Sequence, residues 1–172
     1  ISTRLSAVQA SDVIEEFGLK VKYVLDGGKC KIGVESTIIN LISKPTILRF
    51  GGLEISKIQK VLKKKVSINT NSKKNIAPGL LPLHYSPGIP LRTNIKKPKN
   101  NEAFLLIKKR EINSKNYYYL SKKNDLKQVA KNLYSLLRKI KRNGYKMIAV
   151  EKIPNIGIGR TINDKLNRAS KY

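Results

Sequence analysis

The chain has 172 residues, with 36 basic and 11 acidic side chains, giving a formal net charge of +25. Apolar residues make up 40 %, enough for a core in one large domain or two small ones. Cys30 is the one cysteine and His84 the one histidine, which excludes an internal disulfide framework and a Cys/His zinc site. No apolar run reaches the length of a membrane span and no signal-peptide pattern is visible, so a cytoplasmic protein with no membrane partner and no metal site is expected. The charge reads two ways. It fits a basic face for nucleic acid. It equally fits a solvated surface enriched by A/T-rich codons, because Lys, Asn and Ile are abundant together and Lys lacks the bidentate fork of Arg.

In chain order, residues 6–17 (SAVQASDVIEEF) predict a helix capped by Ser6 and stopped by Gly18. Residues 21–25 (VKYVL) predict a short strand running into an Asp26-Gly27-Gly28 turn. Strands follow at 34–42 and 45–49, then a short helix, ISKIQKVLK, capped by Ser56. From about 64 to 100 periodicity is lost and Pro78, Pro82, Pro87, Pro90 and Pro98 cluster, as in a linker or a long ordered loop. Its middle, APGLLPLHYSPGIPL, carries Leu, His and Tyr among the prolines. Beyond 103, AFLLI and YYYL predict strands, 125–143 an amphipathic helix ended by Gly144, 146–153 a strand and 157–169 a final helix. Strand alternating with helix predicts a small parallel α/β unit. The expected organisation is 1–63, a linker over 64–100, and 101–172. The glycine turn GIGR at 157–160 fits a phosphate site at a helix N-terminus or a tight turn.

The pentapeptide GVEST at 33–37 holds two hydroxyls and a carboxylate at the mouth of a predicted strand. Arg49 ends the next apolar run. Hydroxyls there suit a small polar ligand, and a guanidinium suits an anion beside it. The chain opens on Ile-Ser-Thr without an initiator Met, which suggests a fragment, a processed product or a frame starting downstream.

Five stretches in order, SAVQASDVIEEFG, VLDGGKCKIGVESTIINL, PTILRFGG, APGLLPLHYSPGIPL and IAVEKIPNIGIGRTINDKLNRA, resemble the threonylcarbamoyl-AMP synthase family in its long, two-domain form with a YrdC-like catalytic domain. The resemblance implies an α/β fold: the carboxy-terminal part of an open YrdC-like domain, a linker folding over the active site, and a small Rossmann-like domain. It implies a nucleotidyltransferase of tRNA modification that joins L-threonine, bicarbonate and ATP into threonylcarbamoyl-adenylate and releases pyrophosphate. ATP, with Mg, would be a substrate, with no tightly bound cofactor. The partners implied are an amino-terminal half and the complex that transfers the threonylcarbamoyl group to tRNA. RNA, including double-stranded RNA, is a further expected partner of the basic cavity.

Residue by residue, the resemblance places Ser6, Arg49, His84 and Tyr85 at the ATP site and Ser36 and Thr37 at the threonine site, and it assigns no catalytic residue. The bland alternatives are a helix cap for Ser6, a strand-edge pair for Ser36 and Thr37, and a salt bridge of Arg49 with Glu54 or Asp26. The basic motif that grips the triphosphate in the family is missing, so this chain alone is expected to be inactive. Phe50 replaces the usual proline after Arg49, and Val8 departs from the threonine that follows the Ser6 position. Two other readings stand beside this one: a basic RNA-binding protein, and a non-catalytic remnant.

Overall fold

Short apolar runs in the first third of the chain give short elements. The computed structural model describes residues 3–70, 77–111 and 114–171. Helix α1 spans Ala10–Phe17 and is shorter than expected. Gln9, not Ser6, occupies its N-cap position, and Asp12 reaches back to accept the Val8 N–H at 3.0 Å. The reason is burial: Leu5 and Val8 are only 5 % and 3 % exposed, and burying them holds residues 5–8 outside the helix. No strand forms at 21–25. Tyr23 and Leu25 are exposed, and β-propensity without a pairing partner does not make a strand.

Strands β1 (Ile38–Asn40) and β2 (Thr46–Arg49) pair antiparallel, and β3 (Ser67–Ile68) adds to β2 in parallel, in the order β1-β2-β3. Helix α2 (Ile55–Leu62) connects β2 to β3. Ser56 lies inside α2 rather than capping it; the Glu54 carbonyl accepts the first helical bonds, from Lys57 and Ile58.

The segment after 64 is structured at both ends. It gives β3 to the first sheet and β4 (Leu91–Arg92) to the second. The second sheet runs β4-β7-β5-β6, with β5 (Ala103–Lys108), β6 (Tyr117–Ser121) and β7 (Ile148–Val150), and all its pairings are parallel. Helices α3 (Leu126–Arg142) and α4 (Gly159–Ala169) pack with one face of it. Asp125 caps α3, accepting the Lys127 N–H at 2.9 Å. Val129, Ala130, Leu133, Leu137 and Ile140 form the inner stripe of α3, against Leu105, Leu120, Ile148 and Val150 of the sheet.

This core does not stop at the second sheet. Leu5, Val8 and Tyr85 belong to the same buried cluster. Arg4 bridges Ser86, whose N–H donates to the Thr3 carbonyl at 2.9 Å. Arg138 of α3 donates to the Leu5 carbonyl at 2.7 Å and pairs with Asp12 and Glu16 of α1. The two ends of the chain are therefore packed together, with the segment carrying His84 and Tyr85 between them. Among the described residues, no helix is long and apolar enough to cross a membrane.

Candidate functional site

The site begins where β2 ends. Arg49 leaves the strand towards the GVEST segment and is fixed there twice: Nε donates to the Ser36 carbonyl at 3.1 Å, and Nη2 to Ser36 Oγ at 3.0 Å. Nη1 reaches the Pro78 carbonyl at 3.4 Å. A guanidinium has five N–H groups, so two remain for a ligand. Ser36 Oγ is an acceptor in this arrangement, which leaves its own proton free to donate. Ser36 is exposed, so these donors face solvent together. Converging, partly solvated donors of this kind fit an oxyanion, a carboxylate or a phosphate. The alternative salt bridges of Arg49 with Glu54 or Asp26 are not the contacts it makes.

A close backbone approach sets this geometry. Gly51 follows β2 so tightly against the Ser36–Thr37 backbone that a Cβ would overlap it, and the Gly52 N–H donates to the Glu35 carbonyl at 2.8 Å. Gly79, at φ +83°, permits a second approach: a Cβ there would meet both the Arg49 Cδ and the Tyr85 hydroxyl. Arg49 and Tyr85, distant in sequence, thus meet at one glycine of the linker.

Tyr85 is 1 % exposed and sits at φ +59°. Its ring stacks on Tyr134 of α3 at 6.1 Å and carries the Lys165 ammonium of α4 over it at 4.4 Å. Its hydroxyl has no hydrogen-bond partner among the described residues, and burial pushes its pKa well up. His84 accepts the Tyr85 N–H on Nδ1 at 2.9 Å. Burial pushes the His84 pKa down, opposed by Glu35 and assisted by Lys165, Arg168 and Arg49, so its ring is neutral near pH 7. That arrangement suits a neutral hydrogen-bonding residue that fixes the local backbone.

Glu35, which the sequence reading noted only as the carboxylate of GVEST, is the hub behind the site. It accepts Ser6 Oγ at 2.5 Å and the Tyr134 hydroxyl at 3.1 and 3.0 Å on its two oxygens, and lies 3.9 Å from Lys165 Nζ. Ser6 therefore reaches the site through Glu35. Ser36, Arg49, His84, Tyr85 and Ser6 gather in one place. Thr37 does not join them: its hydroxyl donates to the Leu53 carbonyl at 2.7 Å and borders an apolar groove beside α2. Tyr134 and Lys165 were not legible as site residues, because each sits in a helix whose inner face reads as ordinary core. The GIGR turn is a packing device. The Gly159 and Arg160 N–H groups donate to carbonyls of their own turn, and Cβ atoms at Gly157 and Gly159 would meet Glu54 and the Pro154 carbonyl.

Residues 53–171 match the family described as Threonylcarbamoyl-AMP synthase, C-terminal domain. The chain belongs to the threonylcarbamoyl-AMP synthase family. Residues 1–51 match a second family, described as Telomere recombination. The chain is similar to the threonylcarbamoyl-AMP synthases of Pyrococcus abyssi (31 % identical), Bacillus subtilis (26 %) and Schizosaccharomyces pombe (28 %). These matches take in 98–100 % of the chain but 50–56 % of each relative, so the chain spans about half the length of the curated relatives it matches. Its fold resembles the crystal structure of P. abyssi Sua5 complexed with L-threonine, with a TM-score of 0.86 and 28 % identity over all of this chain and 56 % of that one. A histidine–tyrosine double alanine variant of P. abyssi Sua5 is also similar, with a TM-score of 0.76, 26 % identity, and coverage of 100 % of this chain and 55 % of that one.

Proposed function

We propose that this chain is the carboxy-terminal part of a cytoplasmic threonylcarbamoyl-AMP synthase. Completed by an amino-terminal half, it would join L-threonine, bicarbonate and ATP into threonylcarbamoyl-adenylate and release pyrophosphate. The product would serve tRNA modification through a transfer complex. The observation that carries this reading is the Arg49 fork held on Ser36, in a chain whose family and fold are those of the synthase.

The chemistry suits the donors. Adenylate formation moves charge on a phosphate and needs little covalent help from protein, so positioned donors do much of the work. Arg49 is assigned to the nucleotide phosphates, and the free proton of Ser36 to the threonine substrate beside them. The relative crystallised with L-threonine supports a threonine pocket in this fold. Thr37 is left out of the threonine pocket, because its hydroxyl is taken by the Leu53 carbonyl. His84 and Tyr85 close the nucleotide side, and Ser6 supports it through Glu35. Mg2+ is assigned to the triphosphate, as a cation carried in with the ATP substrate.

The need for a second half is supported by what β1 leaves open. It pairs with β2 on one edge, and its other edge has no partner among the described residues. Leu19, Leu25 and Ile42 are almost fully exposed, and Ile39, Leu41, Ile58 and Val61 line an open apolar groove of about 320 Å3.

The test is threonine-dependent pyrophosphate release from ATP, measured with the chain joined to an amino-terminal half. Arg49→Ala should weaken ATP binding by about ten- to hundredfold, from the loss of a charge-assisted bond of roughly 1.5–3 kcal/mol. Unchanged ATP affinity would remove Arg49 from the site. Binding of RNA without any binding of ATP would give the RNA reading first place.

A further inference from the structure

Helix α4 repeats one arrangement three times. Thr161, Lys165 and Arg168 follow at spacings of four and three, so they share one helix face. All three are buried, at 4 %, 1 % and 6 % exposure. Each donates to backbone carbonyls outside the helix. Thr161 Oγ1 bonds the Gly51 carbonyl at 2.8 Å, and Lys165 Nζ the Phe50 carbonyl at 3.0 Å. Arg168 Nη1 bonds the Leu80 and Leu81 carbonyls, each at 3.0 Å, and Nη2 the Thr70 carbonyl at 2.6 Å.

The positions of those carbonyls give the arrangement its meaning. Phe50 and Gly51 directly follow Arg49. Leu80 and Leu81 directly follow Gly79, where the Arg49 stem meets the Tyr85 hydroxyl. One helix face therefore grips both walls of the Arg49–Ser36 site. Holding a helix onto a core needs only its apolar stripe, which α4 has in Ile162, Leu166 and Ala169. Buried cations are costly unless every donor is met. Here carbonyls meet them, and Asp164 accepts from Arg168 Nε at 3.1 Å and Lys165 Nζ at 3.2 Å. Because the acceptors are main-chain atoms, the face fixes the course of the backbone whatever side chains it carries.

We propose that Thr161, Lys165 and Arg168 are positioning residues for the Arg49–Ser36 site, clamping the end of β2 and the linker at Leu80–Leu81 in register with each other. The ligand they serve rests on the synthase reading; the clamp itself is read from the protein alone.

Amide exchange on the 172-residue chain tests the clamp without any ligand. Arg168→Lys keeps a charge but gathers its donors on one nitrogen, which cannot span the Leu80–Leu81 carbonyls and the Thr70 carbonyl as the two guanidinium nitrogens do. The Tyr85 and Ser86 amides should exchange at least tenfold faster, while those of Leu133, Leu137 and Ile140 in α3 keep their rates. Thr161→Val, nearly isosteric, should speed the Gly52 amide alone. Equal acceleration in α3 and the linker would show that α4 only supports global stability and would overturn the clamp, as would no change at either place. If Arg168→Lys fails to fold, the Thr161→Val result decides. In the reassembled synthase, assayed well below the Tm, Lys165→Met should raise the KM for threonine or ATP at least tenfold, and Lys165→Arg should restore part of it. A wild-type assembly that binds neither substrate would sink the synthase reading and leave the exchange result to stand for the clamp.

Discussion

Tyr85 shows how one residue can serve packing and a site at once. Its ring fills the space between Tyr134 and Lys165, while its hydroxyl is buried beside the Arg49 stem without a partner among the described residues. A buried hydroxyl left unpaired costs about 1–3 kcal/mol. Tyr85→Phe should therefore leave the Tm unchanged or raised, whereas Tyr85→Ala opens a cavity and should cost about 3–5 kcal/mol in denaturant unfolding. If the hydroxyl is held for a nucleotide, Tyr85→Phe should also weaken ATP binding in the completed enzyme. A Phe variant less stable than wild type would show that the hydroxyl is satisfied in solution. His84 adds a pH dependence of defined sign. Its folded pKa lies below the ordinary 6.5, chiefly through burial. The folded state thus prefers the neutral ring, and this contribution to stability is full above about pH 6.5 and falls as the pH drops further. Calorimetry at pH 7.5 and 5.5 should show a larger Tm drop for wild type than for His84→Gln, which does not titrate; equal drops would exclude His84 as the source.

At the scale of elements, what was legible followed pattern length. Helix α3 was read nearly to its ends because seventeen residues repeat one apolar stripe and Asp125 marks the start. Leu137, on that stripe, is 1 % exposed, and Leu137→Ala should cost about 2–5 kcal/mol by urea unfolding. A cost below 1 kcal/mol would mean that the core closes over the gap. The short elements were misjudged wherever long-range packing overrode local signals. Ser6 has cap chemistry, yet Glu35, twenty-nine positions away, takes its hydroxyl. VKYVL has strand chemistry but no neighbour to pair with. The site was legible to the extent that its residues are exposed and chemically distinctive: Ser36, Arg49 and the His84-Tyr85 pair. Glu35, Tyr134 and Lys165 were not, because their role depends on which helices pack together, and neither periodicity nor composition encodes that. In α4 Thr161, Lys165 and Arg168 fall beside the apolar stripe at 162, 166 and 169, where polar residues ordinarily meet solvent, so only the packing shows that these three turn to backbone.

For the whole molecule, the packing joins parts that the sequence separates. The proline-rich stretch divides the chain in composition, but Leu5, Val8 and Tyr85 lie in one buried cluster with α3 and α4. Arg138, itself 8 % exposed, holds the Leu5 carbonyl and two carboxylates of α1. Breaking such a buried charge cluster leaves uncompensated ions, which costs more than parting an apolar contact of the same size. The exposed lysines at 63–65 offer trypsin a cut between α2 and β3, which leaves β3 on the carboxy-terminal piece and still paired with β2. A chain nicked there should therefore stay together. The amino-terminal piece, carrying α1 and β2, should co-elute with the carboxy-terminal piece in gel filtration at moderate salt, and Arg138→Met should release it by removing the shared cation. Pieces that separate without the substitution would show that the contacts of α1 and α4 are too weak to hold the site walls unless the chain is continuous. Pieces that stay associated would mean that the second unit itself organises the Arg49–Ser36 site, with the linker needed for its contacts more than for its covalent tether.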